Sequence, residues 1–302
     1  MDLSFTLRNK SLETAIGVAS GTFGYGSEYE KLVDLSKIGA IFTKTVTLNK
    51  REGNDFPRIV ETPSGMLNAI GLANVGIESF ISQKLPMLQK MPCETICNIA
   101  GFSMEEYQEV LQKLEDSEAA NFLWGYEINI SCPNVCHGGL AFGVDVKAVE
   151  TLTKALRQRT EKPLIIKLTP NVTDISEIAK AAEANGADAL TCINTFVGML
   201  IDIRKKIPVL ANKTGGLSGP AILPLGIAAA YKVCRAVSIP VIGLGGISRW
   251  EDAIQYFMAG AKMIQVGTAT FVDPSAPEKI LLGVKKYCSE NNYSKLSDLK
   301  ID

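Results

Sequence analysis

Short apolar runs alternate with longer amphipathic stretches along almost the whole chain. Eight runs are rich in aliphatic residues and short enough for strands that are buried on both faces: Ile16–Ala19, Ala40–Thr45, Thr95–Ile99, Gly125–Ile130, Leu164–Leu168, Ala189–Ile193, Pro240–Gly243 and Met263–Val266. Between them, apolar residues at helical spacing predict helices that include Met104–Leu114, Val146–Arg157, Ile175–Ala184, Ala221–Val237 and Arg249–Ala259. Asp174 and Ser248 are candidate N-caps, and Gly186 and Gly260 are candidate C-terminal stops.

This order of elements predicts an α/β fold, a (β/α)8 barrel of the TIM type. Residues up to about Thr14 are predicted to form a polar hairpin that closes the bottom of the barrel. Insertions follow strands 2, 4 and 6, at Val46–Gly76, in the loop that begins at Cys132, and at Phe196–Gly219. Loops that follow barrel strands lie on the face that holds active sites. No repeat or linker interrupts the chain, so residues 1–302 are predicted to form a single domain.

Composition and charge disfavour nucleic-acid binding and membrane association. The chain has 302 residues, is 46% hydrophobic and 21% charged, and carries a net charge of −1, which is typical of a soluble globular protein without a nucleic-acid-binding surface. No apolar run approaches the roughly 18 residues that span a bilayer, so no membrane association is expected. The first residues, Met1 to Arg8, lack the layout of a signal peptide, and the expected location is cytoplasmic.

The seven cysteines are expected to be free thiols in such a reducing compartment. Cys93 and Cys97 are separated by three residues, and so are Cys132 and Cys136. This spacing differs from the Cys-x2-Cys pairs of zinc sites, and Cys97 falls inside a predicted strand. The sequence therefore predicts no metal site.

Cys132 lies where a predicted strand gives way to a loop. The apolar run ends in Ser131-Cys132-Pro133-Asn134, and Pro133 cannot donate a hydrogen bond to a sheet. A free cysteine usually behaves as a small buried hydrophobe. Here, however, Asn129 and Asn134 flank the thiol. A thiol among amides can transfer protons while the amides hold a planar polar substrate.

The remaining strands also end in polar or glycine residues: Ser20-Gly21, Lys44-Thr45, Asn98, Lys167, Asn194-Thr195, Gly245-Gly246 and Gly267-Thr268. This set contains no carboxylate pair, and the single histidine is His137, which disfavours a glycosidase or a His-ligated metal hydrolase. Glycines after strands 7 and 8 allow backbone N–H groups to approach a phosphate. Lys167 ends an apolar strand and needs an anionic partner, for which a phosphate, a substrate carboxylate or a reduced flavin would serve.

Five motifs, taken together and in this order, resemble dihydroorotate dehydrogenase of class 1. They are Thr43-Lys-Thr45, Asn68-Ala-Ile-Gly-Leu72, Asn129-Ile-Ser-Cys-Pro-Asn134, Lys213-Thr-Gly-Gly-Leu-Ser-Gly219 and Gly243-Leu-Gly-Gly246. The resemblance extends from about Leu3 to Tyr287 and is strongest to the catalytic subunit of subclass 1B. Cys136 stands where that subclass usually carries Lys.

The resemblance implies a single FMN-binding barrel domain with Cys132 and Lys44 as catalytic residues. The implied FMN contacts are Ser20, Lys44, Thr45, Asn98, Asn129, Lys167, Ile193, Gly219, Gly245, Gly246, Gly267 and Thr268. The implied substrate contacts are Lys44, Asn68, Ala69, Ile70, Gly71, Leu72, Asn129, Asn194 and Thr195.

The reaction that the resemblance implies is oxidation of (S)-dihydroorotate to orotate in de novo pyrimidine (UMP) biosynthesis. Cys132 would remove the C5 proton, and N5 of FMN would accept the C6 hydride. A partner subunit that carries FAD and a [2Fe–2S] cluster would pass the electrons to NAD+, with a homodimer of this chain as the core of a heterotetramer.

Four alternatives stay open from the sequence. The first is a class 1A homodimer that reduces fumarate directly. The second is an FMN domain that acts on other pyrimidines, as in dihydropyrimidine dehydrogenase. The third is an FMN-free barrel isomerase or lyase with a phosphorylated substrate, and the fourth is a barrel that binds a ligand without catalysis.

Overall fold

A closed barrel of eight parallel strands forms the centre of the computed structural model, which describes residues 2–131 and 142–301. The barrel strands, numbered in chain order, are β1 (Ile16–Val18), β2 (Ala40–Phe42), β3 (Glu94–Ile99), β4 (Gly125–Asn129), β5 (Leu164–Lys167), β6 (Ala189–Cys192), β7 (Val241–Leu244) and β8 (Met263–Val266). Each strand pairs with the next along the chain, and β8 pairs with β1 to close the barrel. The predicted (β/α)8 fold is confirmed.

The predicted and observed strands agree to within one residue at each end, except for β2. Its apolar run continues to Thr45, but the strand ends at Phe42. The backbone N–H of Lys44 donates to the Gly24 carbonyl at 3.0 Å, so the chain turns toward the loop that follows β1. Lys44 and Thr45 therefore belong to a loop at the carboxyl end of the barrel.

Register brings the polar residues of four strands to the same end of the barrel. Asn98 lies opposite Glu127, which is two residues before Asn129. Asn129 in turn lies opposite Lys167, and Lys167 lies opposite Thr191. These side chains therefore share one end of the barrel.

Helices surround the barrel, and the longer ones bury an apolar face against it. They are Met104–Glu115, Val146–Arg157, Ile175–Ala184, Leu223–Ala236, Trp250–Met258, Ala269–Val272 and Ala276–Glu290, and before β3 Ile77–Ser79 and Leu85–Leu88 flank the π-helical Phe80–Lys84. Two of them end just before Gly186 and Gly260, as predicted. None of the helices within the described ranges is long and apolar enough to span a membrane.

One of the two predicted N-caps is confirmed and the other is wrong. Asp174 caps helix Ile175–Ala184 through its side chain. The helix Trp250–Met258 is capped by Arg249, one residue after the predicted Ser248. The Asp252 carboxylate accepts from the N–H groups of Ser248 at 2.9 Å and Arg249 at 3.1 Å, so an acid inside the first turn replaces the expected hydroxyl.

The N-terminal hairpin pairs Phe5–Leu7 with Lys10–Leu12. Its alternate residues are apolar and buried, with Phe5 3% exposed and Leu12 1% exposed, so the prediction that it is polar was wrong for its inner face. Lys10 Nζ donates to the carbonyl of Leu123, just before β4, at 2.8 Å. The hairpin closes the amino end of the barrel through these contacts.

The insertions after β2 and β6 join in one antiparallel sheet. Its four strands, in spatial order, are Phe196–Met199, Thr214–Ser218, Gly65–Asn68 and Ile59–Thr62. A two-stranded ribbon, Ile201–Asp202 with Ile207–Pro208, extends the second insertion. The sheet covers part of the carboxyl end of the barrel. The insertion after β4 contains residues 132–141, which lie outside the described part of the chain.

Candidate active site

Glu127 lies inside the barrel near the carboxyl ends of the strands, and its side chain is fully buried. Its Oε1 atom accepts hydrogen bonds from Thr191 Oγ1 at 2.7 Å and from Gln265 Nε2 at 2.8 Å. Its Oε2 atom accepts from Asn98 Nδ2 at 2.6 Å. One carboxylate on β4 therefore connects three other strands of the barrel.

Lys167, the last residue of β5, lies beside this carboxylate. Its side chain is 5% exposed, and Nζ is 3.5 Å from Glu127 Oε2. The predicted need of Lys167 for an anionic partner is thus met within the chain itself. The separation exceeds the 2.7–2.9 Å typical of a charge-assisted hydrogen bond. None of the described residues accepts a hydrogen bond from Lys167 Nζ, so its donors remain available to a ligand.

A row of hydroxyl and amide groups extends from this pair toward β1. Thr45 Oγ1 donates to Asn98 Oδ1 at 2.6 Å and lies 3.4 Å from Ser20 Oγ. The Asn98 side chain is fully buried and bonded within the chain at both its oxygen and its nitrogen. Asn98 therefore fixes the positions of Thr45 and Glu127, and Ser20 lies at the more exposed end of the row.

The carboxyl ends of β4 and β6 each carry a side-chain amide. Asn194 Nδ2 donates to Asn129 Oδ1 at 3.3 Å. The same oxygen accepts from the Ser131 N–H at 3.2 Å, and Asn194 Oδ1 accepts from the Thr195 N–H at 2.8 Å. These bonds orient both amides. No described residue accepts a hydrogen bond from Asn129 Nδ2, which leaves that group for a polar ligand.

Lys44 is the second cation of the site. It is half-buried, and this burial lowers the pKa of its ammonium group from the ordinary value. The nearby Arg58 guanidinium lowers the pKa further, whereas Glu28 acts in the opposite direction. Two cations close together gain energy when an anion binds between them. An anionic ligand beside Lys44 would therefore be favoured by both cations.

The predicted substrate segment Asn68–Leu72 begins in the four-stranded sheet and ends in a tight turn. Asn68 Nδ2 donates to the carbonyl of Gly216 at 3.3 Å, across the two insertions. Gly71 has φ +73°, and a Cβ added there would lie 2.6 Å from Asn54 Oδ1. Only glycine fits this turn, and Asn54 Nδ2 holds the segment by donating to the Ala69 carbonyl at 3.0 Å.

The chain turns closely against a helix after β7. Gly245 and Gly246 both have positive φ, and a Cβ added at Gly246 would lie 2.5 Å from the backbone nitrogen of Leu223. Ile193, on the adjacent strand end, is buried, and its N–H donates to the Leu244 carbonyl at 2.8 Å. These residues shape the wall of the site through their backbones.

Gly267 follows β8 and has room for a methyl group in ordinary van der Waals contact with its neighbours. A Cβ added there would meet nothing nearer than Ala19 Cβ at 3.6 Å. The neighbouring Thr268 Oγ1 donates to Ser218 Oγ at 2.7 Å, just before Gly219. Two hydroxyls beside strand-end glycines are groups that can bind a phosphate. With Lys167 at the end of another strand of the barrel, these groups form a donor set suited to a flavin mononucleotide.

Cys132, the predicted base, lies outside the described residues, as do Asn134, Cys136 and His137. Ser131, directly before it, has a buried Oγ atom without a hydrogen-bond partner among the described residues. The described thiols are unsuitable as bases. Burial raises the pKa of Cys97 to about 12 and that of Cys192 well above its ordinary value.

Sequence reasoning missed Glu127, Thr191 and Gln265 because it considered only the last residue of each strand. These three side chains point into the barrel from within β4, β6 and β8. A usable signal was present. Glu127 and Gln265 interrupt apolar strands, and a buried polar group requires a partner.

Comparison with known proteins gives consistent results over the whole chain. The family model for dihydroorotate dehydrogenase matches residues 2–287. A protein from Geotalea daltonii is 50% identical over 299 residues, covering 99% of this chain and 97% of that protein. One from Pelobacter propionicus is 49% identical and one from Bacteroides fragilis 45% identical, with the same coverage. All three are named dihydroorotate dehydrogenase B (NAD(+)), catalytic subunit.

Proposed function

This chain belongs to the dihydroorotate dehydrogenase family, and from that membership we propose that it oxidises (S)-dihydroorotate to orotate in de novo pyrimidine biosynthesis. The observation that carries this proposal is the convergence of two cations and two oriented amides at the carboxyl end of the barrel. Lys44 and Lys167 supply the two ammonium groups, of which Lys167 has the Glu127 carboxylate as counter-charge. Asn129 and Asn194 supply donors and acceptors that match a pyrimidine dione.

The proposed cofactor is FMN, bound by a single domain that spans residues 1–302. The backbone at Gly267 and the hydroxyl of Thr268 would hold its phosphate. Lys167, Thr45 and Ser20 would face the flavin ring. When bound, FMN supplies the hydride acceptor of the reaction. The protein's part is to orient the substrate, exclude water and provide charge where it is needed.

Lys44 is proposed to bind the carboxylate of dihydroorotate. It is a half-buried cation, and Arg58 raises the positive potential around it. The turn Asn68–Leu72 and the Asn129–Asn194 amide pair would hold the ring on the two sides of that carboxylate. Three fixed elements would then set which face of the ring meets the base.

Cys132 is proposed as the base that removes the C5 proton while the hydride leaves from C6. A thiol with the reference pKa of about 8.5 titrates close enough to neutral pH for this role. The buried Cys97 and Cys192 cannot replace it, because burial holds their pKa values far higher. Lys44 assists by fixing the substrate carboxylate.

The proposed electron route continues in a second protein. The relatives are named as catalytic subunits of an NAD+-linked enzyme, which supports a separate electron-transfer subunit. We assign FAD and a [2Fe–2S] cluster to that subunit and a homodimer of this chain to the core of a heterotetramer. The isolated chain would then oxidise dihydroorotate with artificial dyes but form little NADH.

The decisive experiment is an anaerobic titration of the purified chain with dihydroorotate, followed through its visible absorption. Bleaching of a bound flavin at one equivalent is the expected result. A colourless protein that cannot be reconstituted with FMN would overturn the proposed function. The electron route is tested by steady-state NADH formation. Brisk NADH formation without a partner would contradict the two-subunit route, and brisk fumarate reduction would replace it with a class 1A enzyme.

A further inference from the structure

The carboxylate of Glu127 is surrounded by donors contributed by four other barrel strands. Thr191 and Gln265 donate to Oε1, Asn98 donates to Oε2, and Lys167 Nζ lies 3.5 Å from Oε2. Each described hydrogen bond at this side chain is donated to it. An ionised carboxylate is acceptor-only, so this surrounding is complementary to the charged form of Glu127.

Glu127 and Lys167 form a buried ion pair inside the barrel, in which the two charges are opposite and equal. Both side chains are buried, at 0% and 5% exposure, and Glu127 is the only described carboxylate within 4 Å of Lys167 Nζ. A buried ammonium without a counter-charge is costly, and so is a buried carboxylate. Each member is therefore the counter-charge of the other.

The geometry of the pair leaves Lys167 free on its other side. Glu127 is held by three shorter hydrogen bonds of 2.6–2.8 Å, whereas its distance to Lys167 is 3.5 Å. Lys167 ends β5, so it lies between the Glu127 carboxylate and the carboxyl face of the barrel. The carboxylate restrains the ammonium without using up its donors.

We propose that Glu127 is a positioning residue that sets the charge of the flavin site through Lys167, an inference that rests on the proposed function. With Glu127 ionised, the pair contributes no net charge to the site. Loss of the carboxylate leaves an uncompensated ammonium, which favours the anionic reduced flavin. Loss of the ammonium leaves an uncompensated carboxylate, which disfavours it. Glu127 thus limits how strongly the site stabilises reduced flavin.

The test measures the reduction potential of bound FMN in Glu127→Gln, Lys167→Met and the double variant, beside the unmodified chain. The order expected from net charge is Glu127→Gln highest, the unmodified chain and the double variant in between, and Lys167→Met lowest. For Glu127→Gln we expect reduced FMN to gain at least tenfold in affinity relative to oxidised FMN, which is about 30 mV for a two-electron couple. An unchanged or lower potential in Glu127→Gln overturns the proposal.

Glu115→Gln is the matched control. Glu115 also accepts hydrogen bonds from a tyrosine, a threonine and a lysine, namely Tyr126, Thr160 and Lys162, but at the amino end of the barrel. It should change stability without shifting the potential. An equal shift in both variants would mark a general structural effect and overturn the role of Glu127.

A second variant covers the case in which Glu127→Gln does not fold. Glu127→Asp keeps the negative charge but moves it away from Lys167. The reduction potential should therefore rise, by less than in Glu127→Gln. A potential that does not rise overturns the proposal. Failure of the proposed function looks different. In that case the unmodified chain itself binds no FMN, whereas failure of this inference requires normal FMN binding with an unshifted potential.

Discussion

The amides of Asn129 and Asn194 hydrogen-bond across the gap between β4 and β6, with Nδ2 of Asn194 3.3 Å from Oδ1 of Asn129. The two strands are not neighbours, since β5 lies between them. The bond therefore fixes the relative positions of two groups that are proposed to meet the same pyrimidine ring. A ligand that hydrogen-bonds to one amide therefore finds the other amide at a fixed distance and orientation.

Asn194→Ala should raise the KM for dihydroorotate and lower kcat/KM by about 10- to 100-fold, because it removes one polar contact and releases Asn129. FMN binding should be retained. Steady-state kinetics with an artificial acceptor measure the effect. Asn185→Ala, at the end of an outer helix, is the control and should leave kcat/KM unaltered. A normal kcat/KM in Asn194→Ala would remove this residue from the substrate site.

The affinity for orotate should fall as the pH rises. The fall should begin at a lower pH than the ordinary pKa of a lysine would give. Burial and Arg58 lower the pKa of Lys44, and only its ammonium form attracts a carboxylate. Affinity is therefore constant below that pKa and falls as pH rises through it. Lys44→Arg should keep its affinity to higher pH, since a guanidinium stays charged. Orotate titrations of the flavin spectrum across pH measure both profiles, and identical profiles would exclude Lys44 as the titrating group.

Cys132→Ser should keep FMN and slow flavin reduction by dihydroorotate about 10²- to 10⁴-fold near neutral pH, the usual contribution of a positioned base. Partial recovery at high pH is expected, because a hydroxyl is a weaker acid than a thiol. Rapid mixing under anaerobic conditions measures the rate. Cys93→Ser serves as the control, since burial raises the pKa of that thiol to about 12. Equal rates in Cys132→Ser and the unmodified chain would refute the assignment of the base.

Gly267→Ala should weaken FMN binding at least tenfold and leave the FMN-free protein as stable as before. The added methyl makes ordinary contacts of 3.6 Å or more, so the fold tolerates it, whereas a phosphate held by the Gly267 backbone would be crowded. Gly246→Ala is the contrast. Its φ of +77° and a contact of 2.5 Å to Leu223 should cost about 1–3 kcal/mol of folding free energy. Fluorescence titration with FMN and urea unfolding separate the two effects, and unchanged FMN affinity in Gly267→Ala would place the phosphate elsewhere.

Lys167→Met should destabilise the FMN-free protein by about 3–5 kcal/mol, because it leaves the buried Glu127 carboxylate without its counter-charge. Adding Glu127→Gln should restore much of this loss, since no uncompensated charge then remains. Urea unfolding of the single and double variants measures both terms. If the double variant loses as much stability as the two single variants together, the residues are not energetically coupled.

The barrel could be predicted from the sequence because strands buried on both faces are continuous apolar runs. Seven of the eight strands were located to within one residue at each end on that signal. The errors came from contacts that local pattern does not encode. At Ser248 the cap is provided by a carboxylate three residues into the helix. At Phe5 the burial depends on contacts with distant parts of the chain, so composition alone predicts a polar hairpin.

The sequence predicts the site residues at the strand ends but not the buried side chains that meet inside the barrel. Strand-end residues such as Lys44 and Asn194 do lie together at one end of the barrel, since parallel strands all point the same way. Glu127 and Gln265 were missed because their significance depends on which side chains meet across the barrel axis. That depends on register and not on the order of residues along the chain.

The four-stranded sheet has a consequence for exchanging parts between relatives. Strand Gly65–Asn68 pairs with Thr214–Ser218, so the two insertions are halves of one structure, although most of the barrel separates them along the chain. A chimaera that transplants one insertion alone would leave its new edge facing a foreign partner. Only transplanting both together preserves the pairing, and with it the turn at Gly71. The four-stranded sheet is therefore a single structural unit, although its two halves come from separate parts of the sequence.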